Sequence, residues 1–159
     1  MKDNMIGTVM FKKFTGEKLP NTFDYIKEYI NTHKDTQIII GTDSQNKNKN
    51  TVYSTVIVLY TPGHGGHCLF RRWKTPKERV RQVRLLREVE ESINIANELV
   101  QAGCPRPEYI DLDINPNPKY KSNEVYQTAR GWVESMGYEV RFKTLAPLVT
   151  TVADWLVKM

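Results

Sequence analysis

Apolar and polar positions change period along the chain, and each change marks an element. Residues 37–43, Gln-Ile-Ile-Ile-Gly-Thr-Asp, carry a short continuous run of β-branched residues, the pattern of a strand buried on both faces. Residues 51–61 form the strongest β-type run, and a third strand is predicted over 67–73, after the turn Pro62-Gly63-His64-Gly65-Gly66. With short connections between them, these three strands predict an antiparallel meander. The polar Asn-Lys-Asn-Lys-Asn at 46–50 reads as the loop between the first two. His64 and His67 flank the glycine turn with no third metal ligand nearby and read as polar turn residues.

Helical spacing appears on either side of the meander. Phe23, Ile26, Tyr29 and Ile30 recur at helical intervals behind a candidate cap at Asn21 or Thr22. A long helix is predicted over 76–102, with Thr75 as cap, Pro76 in the first turn, and Gly103 and Pro105 as the stop. Its expected buried face is Val83, Leu86, Val89, Ile93, Ala96 and Val100. A fourth strand follows over 108–114, a loop over 115–119, a helix over 123–136 capped by Ser122, and a fifth strand over 138–143. A short helix is predicted over 153–158. Residues 1–20 are weakly patterned, with a short strand somewhere in 5–14 and a turn over 16–20. Three meandering strands followed by two crossovers predict an α/β fold, a mixed five-stranded sheet with helices on both faces. The expected organisation is one domain over 1–159, with 1–36 as a strand and helix extension and 37–159 as the core.

Composition narrows the class. The length of 159 residues suits a single domain, and 40% apolar residues can fill its core. A net charge of +5 and a pI near 9.2 permit an anionic partner such as nucleic acid without demanding one. The two cysteines, Cys68 and Cys104, are far apart and form no zinc-binding pair. With no apolar stretch near the ~20 residues of a membrane span and no signal-peptide pattern, a reduced, cytoplasmic protein outside the membrane is expected.

The acidic residues change the picture further. Asp43 ends a strand expected to be buried, where a carboxylate without a partner costs several kcal/mol, roughly. A turn with good Thr-Asp-Ser chemistry would account for it; so would a metal ion. Asp111 and Asp113 lie in the fourth strand, two residues apart and so on the same face. If the first and fourth strands are parallel neighbours, Asp43 and Asp113 meet at their carboxyl ends, where open α/β sheets place their sites. On the crossover helix, Glu88 flanks the apolar face and Glu91 points further toward solvent. Glu88 could pair with Arg84, and Arg87 with Glu91, at i, i+4 spacing. Asp154 falls in the first turn of the last helix. Four carboxylates from four elements suit Mg²⁺ or Mn²⁺, and two such ions can clamp the attacking and leaving oxygens of a phosphodiester. The run Arg71, Arg72, Lys74, Lys77, Arg79, Arg81, Arg84 and Arg87, with Trp73 inside it, could hold a phosphate backbone or form a solvated helix face. Lys119, Tyr120 and Lys121 follow Asp113 closely enough to contact phosphate or stack a base.

Gly41-Thr42-Asp43-Ser44-Gln45, the helix carrying Glu88-Val89, Ser92-Ile93 and Ala96, Asp113-Ile114-Asn115 with Lys121-Ser122 beyond it, and Val152-Ala153-Asp154 together resemble the YkuK family of predicted ribonuclease H-like nucleases. The resemblance covers the chain from about residue 20. It implies a ribonuclease H-like fold with metal ligands at Asp43, Glu88, Asp113 and Asp154, two Mg²⁺ or Mn²⁺ ions, and hydrolysis of RNA or DNA. Arg81, Arg84, Lys119 and Lys121 would contact the nucleic acid. The segment 144–151 lacks the histidine that many ribonucleases H carry there, so single-strand or structure-selective cleavage fits as well as cleavage of hybrids. The rival readings are a nucleic-acid-binding module on the same fold without significant catalysis, and a protein-interaction domain.

Overall fold

The structure is a computed structural model and describes residues 10–142. Its elements in chain order are β1 (Phe11–Lys13), β2 (Lys18–Leu19), α1 (Thr22–Thr32), β3 (Gln37–Lys47), β4 (Asn50–Thr61), β5 (Gly65–Pro76), α2 (Arg81–Gln101), β6 (Tyr109–Leu112), a 3-10 turn (Lys121–Val125), α3 (Tyr126–Ser135) and β7 (Val140–Phe142). The sheet order is β2-β1-β5-β4-β3-β6-β7. β3, β4 and β5 form the expected antiparallel meander, and β6 pairs parallel with both β3 and β7.

Among the described residues the sheet has seven strands rather than the five expected. The two additional strands come from the weakly patterned N-terminal stretch: β1 adds to β5 through Lys12 opposite Phe70, and β2 closes on β1. β1 falls within the short strand expected somewhere in 5–14, whereas β2 lies in the expected turn over 16–20; neither is long enough to show a period, and pairing to the β5 edge is what brings them into the sheet. Thr22 ties this flap down, its hydroxyl accepting from the Phe11 N–H at 2.9 Å and donating to the Leu19 carbonyl at 2.6 Å.

The isoleucine run does what a doubly buried strand requires. Ile38 and Ile40 join the large core with residues of α1, α2 and α3, while Ile39 packs on the opposite face with Val56 and Val58. All three described helices therefore lie on one face of the sheet. The helix expected over 153–158 lies outside the described residues.

Two predicted boundaries move. The polar stretch 46–50 is mostly strand: β3 runs to Lys47, β4 begins at Asn50, and only Asn48 and Lys49 turn, with Asn48 at φ 53°. The long helix begins at Arg81 instead of Pro76, because β5 stays paired to β4 as far as Pro76 opposite Asn50. Residues 77–80 are then held extended by the Lys77 N–H on the Lys49 carbonyl and the Glu78 N–H on the Thr51 hydroxyl. Long-range pairing here outweighs the local Thr-Pro helix-start signal. Ser122 also differs from expectation: it sits inside the 3-10 turn, and its hydroxyl accepts from the Asn115 N–H at 2.9 Å instead of capping a helix.

The buried stripe of α2 is rotated from the predicted one. Val83 is 49% exposed, and the buried positions are Leu85, Glu88, Val89, Ser92, Ile93, Ile95, Ala96 and Leu99. Glu88 and Ser92 thus lie inside the stripe facing the sheet.

Candidate active site

The site forms where β6 stops and β3 continues. β6 pairs with β3 only from Ile39 to Gly41. Beyond that point β3 has no paired neighbour on this side among the described residues, and Asp43, Ser44 and Gln45 lie along that edge. Asp113, the first residue after β6, and Glu88 from α2 complete the wall. These residues line one open cavity of about 360 Å³ together with Arg81, Arg84, Leu85, Tyr120, Lys121 and Ser122. The parallel β3–β6 pairing expected from the sequence is what carries Asp113 to Asp43.

Glu88 is the most constrained of the carboxylates, being 4% exposed. Burial and the neighbouring carboxylates of Asp43 and Asp113 push it well above the ordinary glutamate range, against the smaller pull of the Ser44 hydroxyl and the Arg84 guanidinium. Ser44 donates to Glu88 and accepts from the Arg84 guanidinium, whose second contact is the Ser44 carbonyl at 3.2 Å. Arg84 therefore holds Ser44, and Ser44 holds Glu88. The same stripe continues one turn on, where Ser92 bonds Thr42 at 2.8 Å and Thr42 bonds Thr55 at 3.0 Å. This chain of hydroxyls docks α2 against β3 and fixes the depth of Glu88.

The rival carboxylates are engaged elsewhere. Asp111, fully buried, accepts two bonds from Arg141, at 2.8 and 3.0 Å. Burial raises its pKa more than this guanidinium lowers it. Glu91 is ion-paired to Arg87 at 3.1 Å and Arg71 at 3.4 Å, so it is 12% exposed in its side chain and not turned to solvent as expected. The Arg87–Glu91 pair is structural, as its spacing suggests. No direct Arg84–Glu88 ion pair forms; Arg84 reaches Ser44 instead. Of the cations expected to contact nucleic acid, Arg81, Arg84 and Lys121 line the cavity, while Lys119 lies beside it with its ammonium 5.7 Å from the Tyr120 ring centroid. Asp154 lies outside the described residues.

Sequence reasoning gave Gln45 no role of its own. It lines the cavity, and its buried amide oxygen has no hydrogen-bond partner among the described residues. Its signal was its place two residues after Asp43, on the same face of β3. It also missed Arg141, whose role depends on β7 lying beside β6.

Among the described residues, no group of three or more histidine, cysteine, aspartate or glutamate side chains is gathered closely enough to hold a metal ion. The donor set nevertheless suits a hard divalent cation. It offers oxygen donors only, it includes the Gln45 oxygen, which has no hydrogen-bond partner among the described residues, and Asp43 and Asp113 raise the cost of charging Glu88, which a cation would relieve.

A mixed sheet with acidic side chains from its central strand, its crossover helix and the end of the next parallel strand is the ribonuclease H-like class of architecture. The family model described as Ribonuclease H-like matches residues 21–158, and the chain belongs to this family, in its YkuK-type branch. No curated protein sequence matches the chain significantly. No helix among the described residues is long and apolar enough to cross a membrane.

Proposed function

We propose that the protein is a divalent-metal-dependent nuclease that hydrolyses phosphodiester bonds in RNA or DNA. The observation that carries this reading is the convergence of Asp43, Glu88 and Asp113 on one cavity whose rim carries Arg81, Arg84 and Lys121. Acidic residues at the floor and basic residues at the rim suit a phosphate that must be held beside a cation.

Asp43, Glu88 and Asp113 would hold Mg²⁺ or Mn²⁺, joined by Asp154 as the family resemblance implies. When bound, a pair of such ions supplies an activated water and stabilises the departing oxygen. The chain's own residues do the rest. Ser44 donates to Glu88 and is itself held by the Arg84 guanidinium. Arg81 and Lys121 draw the phosphate to the mouth, and Tyr120, 48% exposed, offers a face for a base to stack on.

The test is cleavage of labelled single-stranded RNA, single-stranded DNA, hybrid and branched substrates with Mn²⁺, Mg²⁺ or EDTA, using wild type and Asp43→Asn. Metal-dependent cleavage that falls by at least roughly 10²-fold in Asp43→Asn is expected, the scale of losing a preorganised electrostatic group. Cleavage unchanged by the substitution would refute the assignment. A second reading is binding without catalysis, which the basic residues Arg81, Arg84 and Lys121 around the cavity would serve equally. It predicts salt-dependent retention of nucleic acid with no turnover in any metal.

A further inference from the structure

The basic run that begins at Arg71 is divided by the pleat of β5. Arg71 and Trp73 point to the helical side. Arg71 pairs with Glu91, its guanidinium lies 5.0 Å from the Trp73 ring centroid, and Trp73 stacks on Tyr53 at 5.3 Å. Arg72 and Lys74 point to the opposite face, where both are exposed. There they line a second groove of about 240 Å³ with Lys47, Asn48, Asn50 and Val52. No carboxylate lines this groove, and none of its three cations makes an ion pair or side-chain hydrogen bond among the described residues.

Strand register ties the groove to the site. Asp43 lies opposite Ser54, and Ser54 opposite Arg72; Gln45 lies opposite Val52, and Val52 opposite Lys74. Laterally paired residues share a face, so Arg72 and Lys74 stand on the same face as Asp43 and Gln45. Two strand spacings of about 4.8 Å place Arg72 roughly 10 Å from Asp43, with Lys74 about 7 Å further along the strand direction. Lys47, at the end of β3, closes the groove on the far side.

We propose that Lys47, Arg72 and Lys74 form a phosphate-binding track that holds the backbone of the nucleic-acid strand a few nucleotides from the bond being cut. This rests on the nuclease reading of the Asp43 site. The recognised chemistry is the phosphodiester backbone, because the groove has three cations and two amides to offer and no aromatic face for bases.

The test compares Lys47→Gln/Arg72→Gln/Lys74→Gln with a charge-matched control on the helical layer, Lys27→Gln/Lys34→Gln/Arg130→Gln. Binding of labelled single-stranded RNA and DNA is measured in EDTA on an Asp43→Asn background across a salt series, and cleavage is measured separately in the Asp43-containing protein. The groove variant is expected to bind more weakly and to lower the magnitude of the log K against log salt slope by about 2, at roughly 0.7 per phosphate contact for single strands. Its KM should rise with kcat unchanged, and the loss should vanish for oligonucleotides too short to reach from the site to the groove. Binding and slope unchanged, or lowered equally by the control, would overturn the track while leaving the nuclease reading intact. Weaker binding by the groove variant without cleavage by any form would support the track as a binding surface and sink the nuclease reading. No binding by the protein with its groove unsubstituted, in any salt, would overturn the track, while the nuclease reading is decided by the cleavage measurement alone.

Discussion

Single residues carry the most concentrated electrostatic choices in this protein. Asp111 and Asp113 are two positions apart, yet Arg141 claims the first, and the second faces the cavity. Removing Arg141 would leave a fully buried carboxylate uncompensated. Arg141→Met is expected to cost about 3 kcal/mol, the low end for a broken buried pair because Arg141 is itself partly exposed. Urea unfolding would measure it, and Asp111→Asn/Arg141→Met should lose less than the sum of the single changes. His67 offers a different test. It is a strand residue and not the turn residue expected, bonded to the Tyr25 hydroxyl at 2.8 Å and stacked on Tyr29 at 5.2 Å. Burial, then the Lys13 ammonium and His33, hold its pKa below the ordinary histidine value. The unfolded chain takes up that proton near pH 6.5, so the neutral ring's contribution is complete above that pH. It drains away as pH falls toward the depressed folded value. Between about pH 7.5 and 5.5 the wild type should lose more Tm than His67→Gln does. Equal losses would show that His67 does not titrate across the folding transition.

At the scale of elements, pairing overrides local signals. The Thr-Pro step at 75–76 has the composition of a helix start, yet it is the last rung of a twelve-residue strand. The tight turn at Asn48 is what lets β3 and β4 stay paired to their ends and carries Lys47 out to the groove. Asn48 adopts φ 53°, a left-handed conformation that asparagine tolerates and β-branched residues do not. Asn48→Val should therefore cost about 1–2 kcal/mol in denaturant unfolding, and Asn48→Gly should be neutral or slightly stabilising. Equal stability for valine and glycine would mean that the hairpin does not depend on this turn. The length of β3 relative to β6 matters as much: one strand outrunning its parallel neighbour leaves an edge on which a site can be built.

For the whole molecule, the site is a meeting of three elements, and the proposed cation would tie its stability to binding. Asp43, Asp113 and Glu88 come from β3, the end of β6 and α2. A cation held among them would stabilise the folded state by mass action, by about 2.7 kcal/mol at a free concentration a hundredfold above Kd. Thermal melts with increasing Mn²⁺ should show a rising Tm in the wild type and a much smaller rise in Glu88→Gln. The same rise in both proteins would place the ion elsewhere. Glu88→Gln keeps the shape and the Ser44 contact, so a loss of the metal response would not reflect a collapsed site.

The sequence by itself determined the meander, the crossover helix and the parallel placement of the next strand. Each is written in a local period: β-branched runs for strands, three-and-four spacing for α2, and a helical crossover that brings the next strand back parallel. It also narrowed the acidic pair to Asp43 with Asp111 or Asp113, on condition that their strands are parallel neighbours; the β3–β6 pairing meets that condition, and the Arg141 bonds to Asp111 leave Asp113 to the cavity. Only the tertiary structure decided which face of α2 is buried, and so set Glu88 inside the stripe and Glu91 against Arg71 and Arg87. A one-position rotation of a helix leaves its period unchanged, and only contact with the sheet selects the angle. Only the structure recruited β1 and β2 to the edge, since two- and three-residue strands have no pattern until a partner supplies their hydrogen bonds. It likewise carried β5 past residue 73 to Pro76 and so set Lys74 on the face of Arg72, because the helix-start signal at 75–76 gives way to long-range pairing with β4.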